Sequence, residues 1–247
     1  MLIPRLRLER GCILQSNPFI YISESVVVLN KPAGMPCHPL REGETGTALE
    51  LVGKEFPDIL LASDNPREGG LVHRLDNDTS GVLVFARTRP SYVAWRTAFM
   101  QGQVKRTYLA IVVGHIQGTL VLDWPIAHHA KNKKKMVVVR DKVAFRSHPK
   151  DALTEVKPLA TGQGATLVEV QIKGGRRHQI RVHLAAAGFP LLGDQLYGGP
   201  KAHHLKGQAL HAYKLQSALA PLFLATPPPE FVIEAGLLGI RHPFLES

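Results

Sequence analysis

The central stretch of this 247-residue sequence reads Leu71-Val-His-Arg-Leu-Asp-Asn-Asp-Thr-Ser-Gly-Val-Leu-Val-Phe85. Its second half, residues 82–86, is an uninterrupted apolar run with the length and composition of a buried strand. Five polar side chains precede this run, namely His73, Arg74, Asp76, Thr79 and Ser80. A polar loop that is fixed by a core strand can face solvent or a ligand, which suits it to chemistry. Asp76 is therefore the candidate reactive carboxylate.

The same stretch also permits a purely structural interpretation. Residues 76–78 could form a turn and a cap that Ser80 and Gly81 close. Arg74 would then be an ordinary surface cation. The stretch alone does not decide between the two interpretations, so the other motifs of the chain have to.

A second polar stretch reads Gly174-Gly-Arg-Arg-His-Gln-Ile-Arg-Val-His-Leu-Ala-Ala-Ala-Gly188. The paired glycines permit a tight entry, and the pattern predicts a helix over residues 177–187 that ends at the final glycine. On this helix Arg177, His178 and Arg181 would lie on adjoining turns. A basic helix that simply binds DNA or RNA is the alternative to a catalytic role.

Hydrophobic periodicity and turn residues predict a mixture of strands and helices elsewhere. Strands are predicted at residues 20–29, 104–114, 152–159, 165–172 and 210–215. Helices are predicted at residues 47–56, with Thr45 or Thr47 as the cap, and at residues 91–101. The aromatic residues of the second helix fall on one stripe, which we interpret as core packing rather than a platform for stacking bases.

The charge of the chain indicates a polyanionic partner. There are 30 Lys and Arg residues against 20 Asp and Glu residues, which gives a formal net charge of +10. Nucleic acid is the leading candidate, and an anionic membrane surface is the second. The densest positive cluster, at residues 131–135, is predicted to be a hairpin or loop tip that contacts phosphate, although such clusters are often only solvated surface.

Several other classes of protein are disfavoured. No apolar run approaches the roughly 18 residues of a membrane span, and the N-terminus lacks the apolar core of a signal peptide, so we expect a cytoplasmic protein. Cys12 and Cys37 cannot build a disulfide framework or a zinc ribbon, and we interpret them as buried or idle thiols. The histidine pairs at 128–129 and 203–204 are adjacent rather than spaced as metal ligands.

Ordered blocks spread over residues 29–215 resemble one family. The run His-Arg-Leu-Asp-x-x-Thr-Ser-Gly at residues 73–81 is similar to the signature of the RluA class of pseudouridine synthases, which modify ribosomal and transfer RNA. A chance match to a short motif does not readily repeat several times in order along a chain. Further blocks of similarity lie at residues 29–39, 105–114, 174–198 and 210–215.

The resemblance implies the pseudouridine synthase fold, an α+β domain in which a mixed, mostly antiparallel sheet is flanked by helices around a central catalytic cleft. It implies isomerisation of uridine in ribosomal or transfer RNA, with RNA as the partner and with no cofactor and no metal. We expect a monomer and a single catalytic domain over residues 1–247. Because only about 20 residues precede the first family strand, a separate N-terminal RNA-binding domain is not expected.

The resemblance also implies roles for individual residues. Asp76 would be the catalytic carboxylate, acting as a nucleophile or as a base, and Arg181 would keep it ionised. Tyr108 would pack against the target base, and Arg74 would replace the extruded uridine in the base stack. The residues expected to contact RNA are His73, Arg74, Thr79, Lys31, Lys131, Lys133, Lys134, Lys135, Arg177 and His178.

Two other functions fit parts of the sequence. A non-catalytic RNA-binding protein could retain the fold, but a pure binder has no use for a carboxylate such as Asp76 beside phosphates. A glycoside hydrolase could use Asp76 and Asp78, but two carboxylates this close in sequence need not face one another. The positive charge suits RNA better than a neutral sugar.

Overall fold

The computed structural model describes residues 17–140 and 143–245. These residues form eleven strands and four α-helices. The strands are β1 (Phe19–Ile22), β2 (Val26–Lys31), β3 (Ser80–Ala86), β4 (Lys105–Val113), β5 (Leu120–Leu122), β6 (Ile126–His128), β7 (Met136–Val138), β8 (Leu153–Gly162), β9 (Ala165–Lys173), β10 (Leu210–Ser217) and β11 (Ala220–Leu224). The helices are α1 (Ala48–Glu55), α2 (Arg89–Met100), α3 (Gln179–Ala186) and α4 (Pro229–Leu237).

The main sheet has nine strands in the order β1-β2-β3-β10-β4-β9-β8-β5, with β11 paired to β10. Only the β3–β10 pair in this described part runs parallel, and the other pairs are antiparallel. Gly81 permits this parallel contact, because a Cβ there would lie 2.2 Å from the backbone oxygen of Ala212. The predicted mixed, mostly antiparallel sheet is confirmed, and the loop that carries Asp76 enters the sheet beside β10.

Strand β3 is buried along its whole length because helices cover both of its faces. Val82 and Val84 pack with residues of α2, whereas Leu83 and Phe85 pack with residues of α1. A strand with two buried faces needs a continuous apolar run rather than an alternating one. The predicted buried strand is confirmed, and it anchors the polar loop that precedes it.

The two faces of β4 are covered by different helices. Tyr108 lies on the face that packs against Ile180 and Leu184 of α3. Leu109 lies on the opposite face, which packs against Phe231 of α4. The alternation of side chains along a strand therefore directs Tyr108 to the side of the sheet where α3 lies. The sequence analysis does not predict α4.

Capping residues in the sequence mark the starts of the two predicted helices, α1 and α2. The side chain of Thr47 caps α1 by accepting a hydrogen bond from the backbone N–H of Glu50 at 3.2 Å. The side chain of Thr88 caps α2 in the same way, and Trp95 on its aromatic stripe is buried. Both helices and the core interpretation of the stripe are confirmed.

Two predicted element boundaries are wrong. Residues 20–29 form a hairpin of β1 and β2 rather than one strand, because the Ser23 hydroxyl accepts from the N–H of Val26 at 3.1 Å and closes a turn. Helix α3 begins at Gln179 rather than at residue 177, because His178 has a left-handed φ of 53°. Arg177 and His178 therefore belong to the loop that enters the helix.

The cluster at residues 131–135 lies at the tip of the small β6–β7 sheet, as predicted. Cys37 is buried, whereas Cys12 lies outside the described residues. Among the described residues, no helix has the length and apolar character needed to cross a membrane.

Candidate active site

One cleft brings together six of the thirteen predicted site residues, including the three expected to be catalytic. It lies between the loop before β3, the start of β4 and the loop that enters α3. The polar side chains that line it include Arg74, Asp76, Arg106, Tyr108, His178 and Arg181. Residues that are far apart in the sequence meet here, and Asp76 and Arg181, which are in contact, are 105 positions apart.

Asp76 and Arg181 form the ion pair at the centre of the cleft. Nη1 of Arg181 donates a hydrogen bond to Oδ2 of Asp76 at 2.9 Å. The Asp76 side chain is 25% exposed, whereas that of Arg181 is 9% exposed. The carboxylate is thus held from the protein side and stays accessible from the cleft.

Arg181 is itself fixed by a second carboxylate. Its Nε and Nη2 donate to the two carboxylate oxygens of Asp194 at 2.7 and 2.9 Å, which is the bidentate geometry of a strong ion pair. Burial disfavours the charged guanidinium, but the bonds from Asp194 and Asp76 outweigh burial and raise the pKa of Arg181. The guanidinium stays charged at any physiological pH and has little freedom to move away from Asp76.

Tyr197 connects this ion pair to the lysine-bearing hairpin. The centre of the Arg181 guanidinium lies 5.2 Å from the centroid of the Tyr197 ring. The Tyr197 hydroxyl accepts a hydrogen bond from the backbone N–H of Met136, at the base of the hairpin, at 2.8 Å. The same hydroxyl is 2.9 Å from Nδ1 of His178. Tyr197 therefore contacts the arginine, the histidine and the hairpin at once.

His178 lies beside the carboxylate in a partly buried position. Burial lowers the pKa of His178 to about 4, so the imidazole is neutral at pH 7 despite its proximity to Asp76. Its Nδ1 is 2.9 Å from the Tyr197 hydroxyl, and its Nε2 lies 3.9 Å from Oδ2 of Asp76. A hydroxyl oxygen can accept two hydrogen bonds, so the bond from Met136 is compatible with either tautomer of the ring. The site thus places a neutral imidazole beside the carboxylate.

Tyr108 supplies the apolar wall of the cleft. It is 7% exposed, and burial raises the pKa of its hydroxyl, so the phenol is protonated at neutral pH. No hydrogen bond to this hydroxyl is formed within residues 17–140 and 143–245. A ring in this position can pack against a bound base while its hydroxyl stays free to donate.

Two residues predicted to contact RNA are instead structural, and the first is Lys31. It is 0% exposed, and its ammonium donates to the backbone oxygens of Pro32, Met35 and Asn77 at 2.8–2.9 Å. Burial lowers the pKa of Lys31 to about 8. It ties the turn after β2 to the loop that carries Asp76, and it has no surface for a phosphate, so its assignment as an RNA contact is wrong.

His73 is likewise directed into the protein. Its Nε2 accepts a hydrogen bond from the N–H of Val84 at 3.2 Å, and its ring stacks on Phe99 at 4.8 Å. Burial lowers the pKa of His73 to about 3, so it carries no charge to attract a phosphate. Thr79 borders the cleft, but it is buried and its hydroxyl accepts from Gln208 at 3.0 Å. The assignment of His73 as an RNA contact is wrong, and Thr79 has little surface for one.

The remaining predicted RNA contacts lie on the surface near the cleft. Arg74 is exposed and lies 3.4 Å from the His38 ring through its Nη1. Arg177 is exposed and donates to the backbone oxygens of Lys133 and Lys134 at 3.3 Å. The loop that enters α3 and the hairpin tip therefore form one continuous basic surface.

The alternative carboxylate pair does not form. Asp78 is not among the residues that line the cleft, and its side chain lies against Gly207 instead. Among the described residues, no group of three or more His, Cys, Asp or Glu side chains is placed to hold a metal ion. The acidic residue available to a ligand in the cleft is Asp76.

Comparison with known families connects this geometry to a group of enzymes. Residues 25–186 match the profile of the family described as RNA pseudouridylate synthase. The matched range contains Asp76, Tyr108 and Arg181 and covers well over half of the chain. The chain belongs to the RNA pseudouridylate synthase family.

Curated relatives of known sequence are members of the same family. The chain is 36% identical over 206 residues to the ribosomal large subunit pseudouridine synthase D of Zymomonas mobilis, covering 79% of this chain and 63% of that protein. It is 39% identical over 195 residues to an uncharacterized RNA pseudouridine synthase of Bacillus subtilis, YlyB, covering 78% of this chain and 61% of that protein. The chain therefore spans about three fifths of the length of these relatives.

Solved structures of the family share the fold. The human RNA pseudouridylate synthase domain containing 4 superposes with a TM-score of 0.72 at 25% identity, over 91% of this chain and 94% of that chain. The human RNA pseudouridylate synthase domain containing 1 gives a TM-score of 0.70, also at 25% identity, over 90% and 87%. The predicted α+β pseudouridine synthase fold is confirmed. The expectation of a single domain without an RNA-binding extension stays a prediction.

The sequence analysis missed three residues that line or support this cleft. Asp194 and Tyr197 fall within the family block at residues 174–198, where the run Gly-Asp-x-x-Tyr-Gly was the available signal. Arg106 lies two residues before Tyr108, and the period of a strand places both on one face. The contacts of Asp194 and Tyr197 with Arg181 could not be predicted from local spacing, because they join different elements of the fold.

Proposed function

We propose that the protein is an RNA pseudouridine synthase that converts uridine in RNA to pseudouridine, with Asp76 as the catalytic carboxylate. The observation that supports this most is the Asp76–Arg181 pair in a chain of this family. The carboxylate is fixed at 2.9 Å by a guanidinium that Asp194 holds in turn, yet it stays 25% exposed. A carboxylate that is held in a fixed orientation and stays accessible can react with a nucleoside bound in the cleft.

In the proposed reaction the bond between C1′ of the ribose and N1 of uracil breaks, the base turns, and a bond forms between C1′ and C5. The C5 hydrogen leaves as a proton and N1 gains one, so substrate and product are isomers. Asp76 acts as a nucleophile or as a base that takes a proton from the ribose. The imidazole of His178 and the hydroxyl of Tyr108 are neutral groups that line the cleft together with Asp76 and can assist proton transfer.

Large-subunit ribosomal RNA is the substrate that we infer, because several relatives are named as ribosomal large subunit pseudouridine synthases. Transfer RNA is the alternative that the family resemblance leaves open. The test is to incubate the protein with unmodified transcripts of both RNAs and to map carbodiimide-resistant pseudouridine. New sites in ribosomal RNA are expected. New sites in transfer RNA alone would make transfer RNA the substrate instead of ribosomal RNA. No new sites in either RNA would contradict the proposed function.

Arg74 is proposed to assist extrusion of the uridine. A uridine within a folded RNA must leave its stack to reach a carboxylate in a cleft, at a cost of a few kcal/mol. The planar guanidinium of Arg74 is exposed beside the loop that carries Asp76, and it can stack on the bases that flank the vacated position. Extrusion and chemistry would then be served by neighbouring residues of one loop.

Replacement of Tyr108 separates packing from proton transfer. Tyr108→Phe keeps the ring but removes the hydroxyl, so turnover is expected to fall by roughly 100-fold or more if the hydroxyl transfers a proton. Tyr108→Ala removes the ring as well and should bind RNA more weakly. The measurement is single-turnover tritium release from RNA labelled at C5 of uridine. Tyr213→Phe, at a position on β10 that does not line the cleft, is the control, and full activity of Tyr108→Ala would contradict the assignment.

Replacement of the hairpin lysines tests their interaction with phosphate. Changing Lys131, Lys133, Lys134 and Lys135 to Gln together should weaken RNA binding and reduce its salt dependence. The slope of log affinity against log salt is expected to fall by about 0.7 to 0.9 for each phosphate that the four lysines neutralise. The matched control changes Lys54, Lys105, Lys157 and Lys201, which are exposed but do not line the cleft. An unchanged slope in the hairpin variant would show that the lysine cluster is solvated surface that does not contact phosphate.

A further inference from the structure

Arg106 is a charged side chain of the cleft that has no partner within the described residues. It lies on β4, and the two-residue period of the strand places it on the same face as Tyr108. Its Nε is buried without a hydrogen bond, and no carboxylate of residues 17–140 or 143–245 lies within 4.0 Å of the guanidinium. A buried donor without an acceptor is destabilising, so its presence in a cleft points to an acceptor that a bound ligand or water supplies.

The guanidinium is held firmly although nothing in the described chain pairs with it. Its carbon lies 5.5 Å from the centroid of the Phe99 ring, and Phe99 is stacked on the buried ring of His73. On another side it touches Gly175, where a Cβ would lie 2.3 Å from Nη1 of Arg106. A glycine with φ of 75° is therefore what allows the chain to pass so close to the guanidinium. Arg106 is preorganised by its neighbours rather than by an ion pair.

The cleft also has a surplus of positive charge on this side. Arg74 contacts the His38 ring, and Arg176 donates to the backbone oxygen of Asp151 at 3.0 Å. Neither forms an ion pair within the part of the chain that is described. Asp76 does not balance them, because it pairs with Arg181. Three guanidinium groups thus line one cleft without a carboxylate of their own among the described residues.

We propose that Arg106 is a binding site for a phosphodiester group of the RNA backbone next to the target uridine, with Arg74 and Arg176 beside it. This inference rests on the proposed function. A phosphate is favoured over a uracil oxygen, because a neutral carbonyl would leave the charge surplus unbalanced. The planar fork of an arginine matches two phosphate oxygens at once. The phosphate so bound would set the register of the RNA, so that the ribose of the neighbouring nucleotide faces Asp76.

The test is a scan of the RNA backbone with uncharged phosphates. The probe is a short synthetic RNA with one central uridine, in which one phosphate at a time is replaced by a methylphosphonate. Binding is measured for Asp76→Asn protein, which keeps the shape of the cleft but cannot react, with and without Arg106→Gln. At one position the methylphosphonate is expected to weaken binding by about 10- to 100-fold when Arg106 is present. The same replacement should have little further effect in Arg106→Gln.

Two further variants separate this role from a general loss of charge or of folding. Lys105→Gln removes the same charge from the neighbouring residue on the opposite face of β4, and it should leave the scan unchanged. Gly175→Ala keeps every charge, but its Cβ would lie 2.3 Å from Nη1 of Arg106 and displaces the guanidinium. The methylphosphonate that weakens binding only when Arg106 is present should therefore have little effect in this variant, as in Arg106→Gln. Circular dichroism establishes that each variant is folded before its binding is compared.

The outcome distinguishes this inference from the proposed function. If every methylphosphonate weakens binding equally with and without Arg106, the phosphate site is wrong, even when wild-type protein releases tritium from labelled RNA. If the effect of one methylphosphonate on binding depends on Arg106 but no RNA is isomerised, the phosphate site is supported and the proposed enzymatic function is contradicted. An unchanged effect of that methylphosphonate in Gly175→Ala would also contradict the site, because the guanidinium could not then be held where the structure places it.

Discussion

An Asp76→Asn variant is expected to lose isomerisation by roughly 10,000-fold or more, which is the size of effect that loss of an enzyme's reacting group produces. The amide has nearly the same shape, but it is neither a nucleophile nor a base at neutral pH. RNA affinity should change little, because a negative charge that repels phosphate is removed while the arginines of the cleft remain. Tritium release from uridine labelled at C5 measures the reaction, and fluorescence anisotropy measures binding.

The same loop provides the matched control for this variant. Asp78→Asn makes the same chemical change two residues further on, but Asp78 does not line the cleft and lies against Gly207. It should keep nearly full turnover once its folding has been checked. Near-normal tritium release by Asp76→Asn, or an equal loss in both variants, would remove Asp76 from the chemistry.

The sequence predicts those parts of the fold that local patterns determine. The cap at Thr47, the continuous apolar run of β3 and the basic hairpin tip each depend on neighbours in the chain, and each of these predictions is confirmed. The break between β1 and β2 is missed, because the apolar residues run through a turn that only the Ser23 hydroxyl closes. The order of strands cannot be predicted in this way, since the β3–β10 contact joins residues more than 100 positions apart.

The sequence predicts which reactive side chains line the cleft, but it does not predict which buried side chains hold the loops of the cleft in place. The resemblance to a family supplies Asp76, Tyr108 and Arg181, and the structure brings all three into one cleft. Burial is the property that sequence reasoning cannot supply. Lys31 and His73 stand in polar motifs that predict RNA contacts, although both are enclosed by backbone groups that satisfy them. A charged or titratable residue in a polar motif can support a loop as well as bind a ligand.

Asp194 is the supporting residue with the largest expected effect. Its side chain is 1% exposed, and both of its oxygens accept hydrogen bonds from Arg181. In Asp194→Asn, one oxygen becomes an amide that can only donate toward the guanidinium, so the buried Arg181 charge loses its bidentate partner and keeps only the single bond to Asp76. The free energy of unfolding is expected to fall by about 3–5 kcal/mol, the cost of breaking a buried ion pair from one side. Urea denaturation measures this change.

An exposed ion pair of the same chemistry provides the comparison. Asp64 pairs with Arg89 on the surface, where the Asp64 side chain is 88% exposed. Asp64→Asn should lower the free energy of unfolding by at most about 1 kcal/mol, because solvent already screens the pair. Similar losses in Asp64→Asn and Asp194→Asn would show that burial adds nothing to the Asp194–Arg181 interaction.

A double replacement separates the support of the fold from the support of the reaction. Changing Arg181→Met and Asp194→Leu together removes both buried charges, and apolar groups of similar size often restore or exceed the stability of a buried ion pair. The double variant should therefore unfold at a urea concentration closer to that of the wild type than Asp194→Asn does. It should still fail to release tritium, because Asp76 has then lost the guanidinium that orients it. Recovery of turnover together with stability would mean that the arginine serves the fold alone.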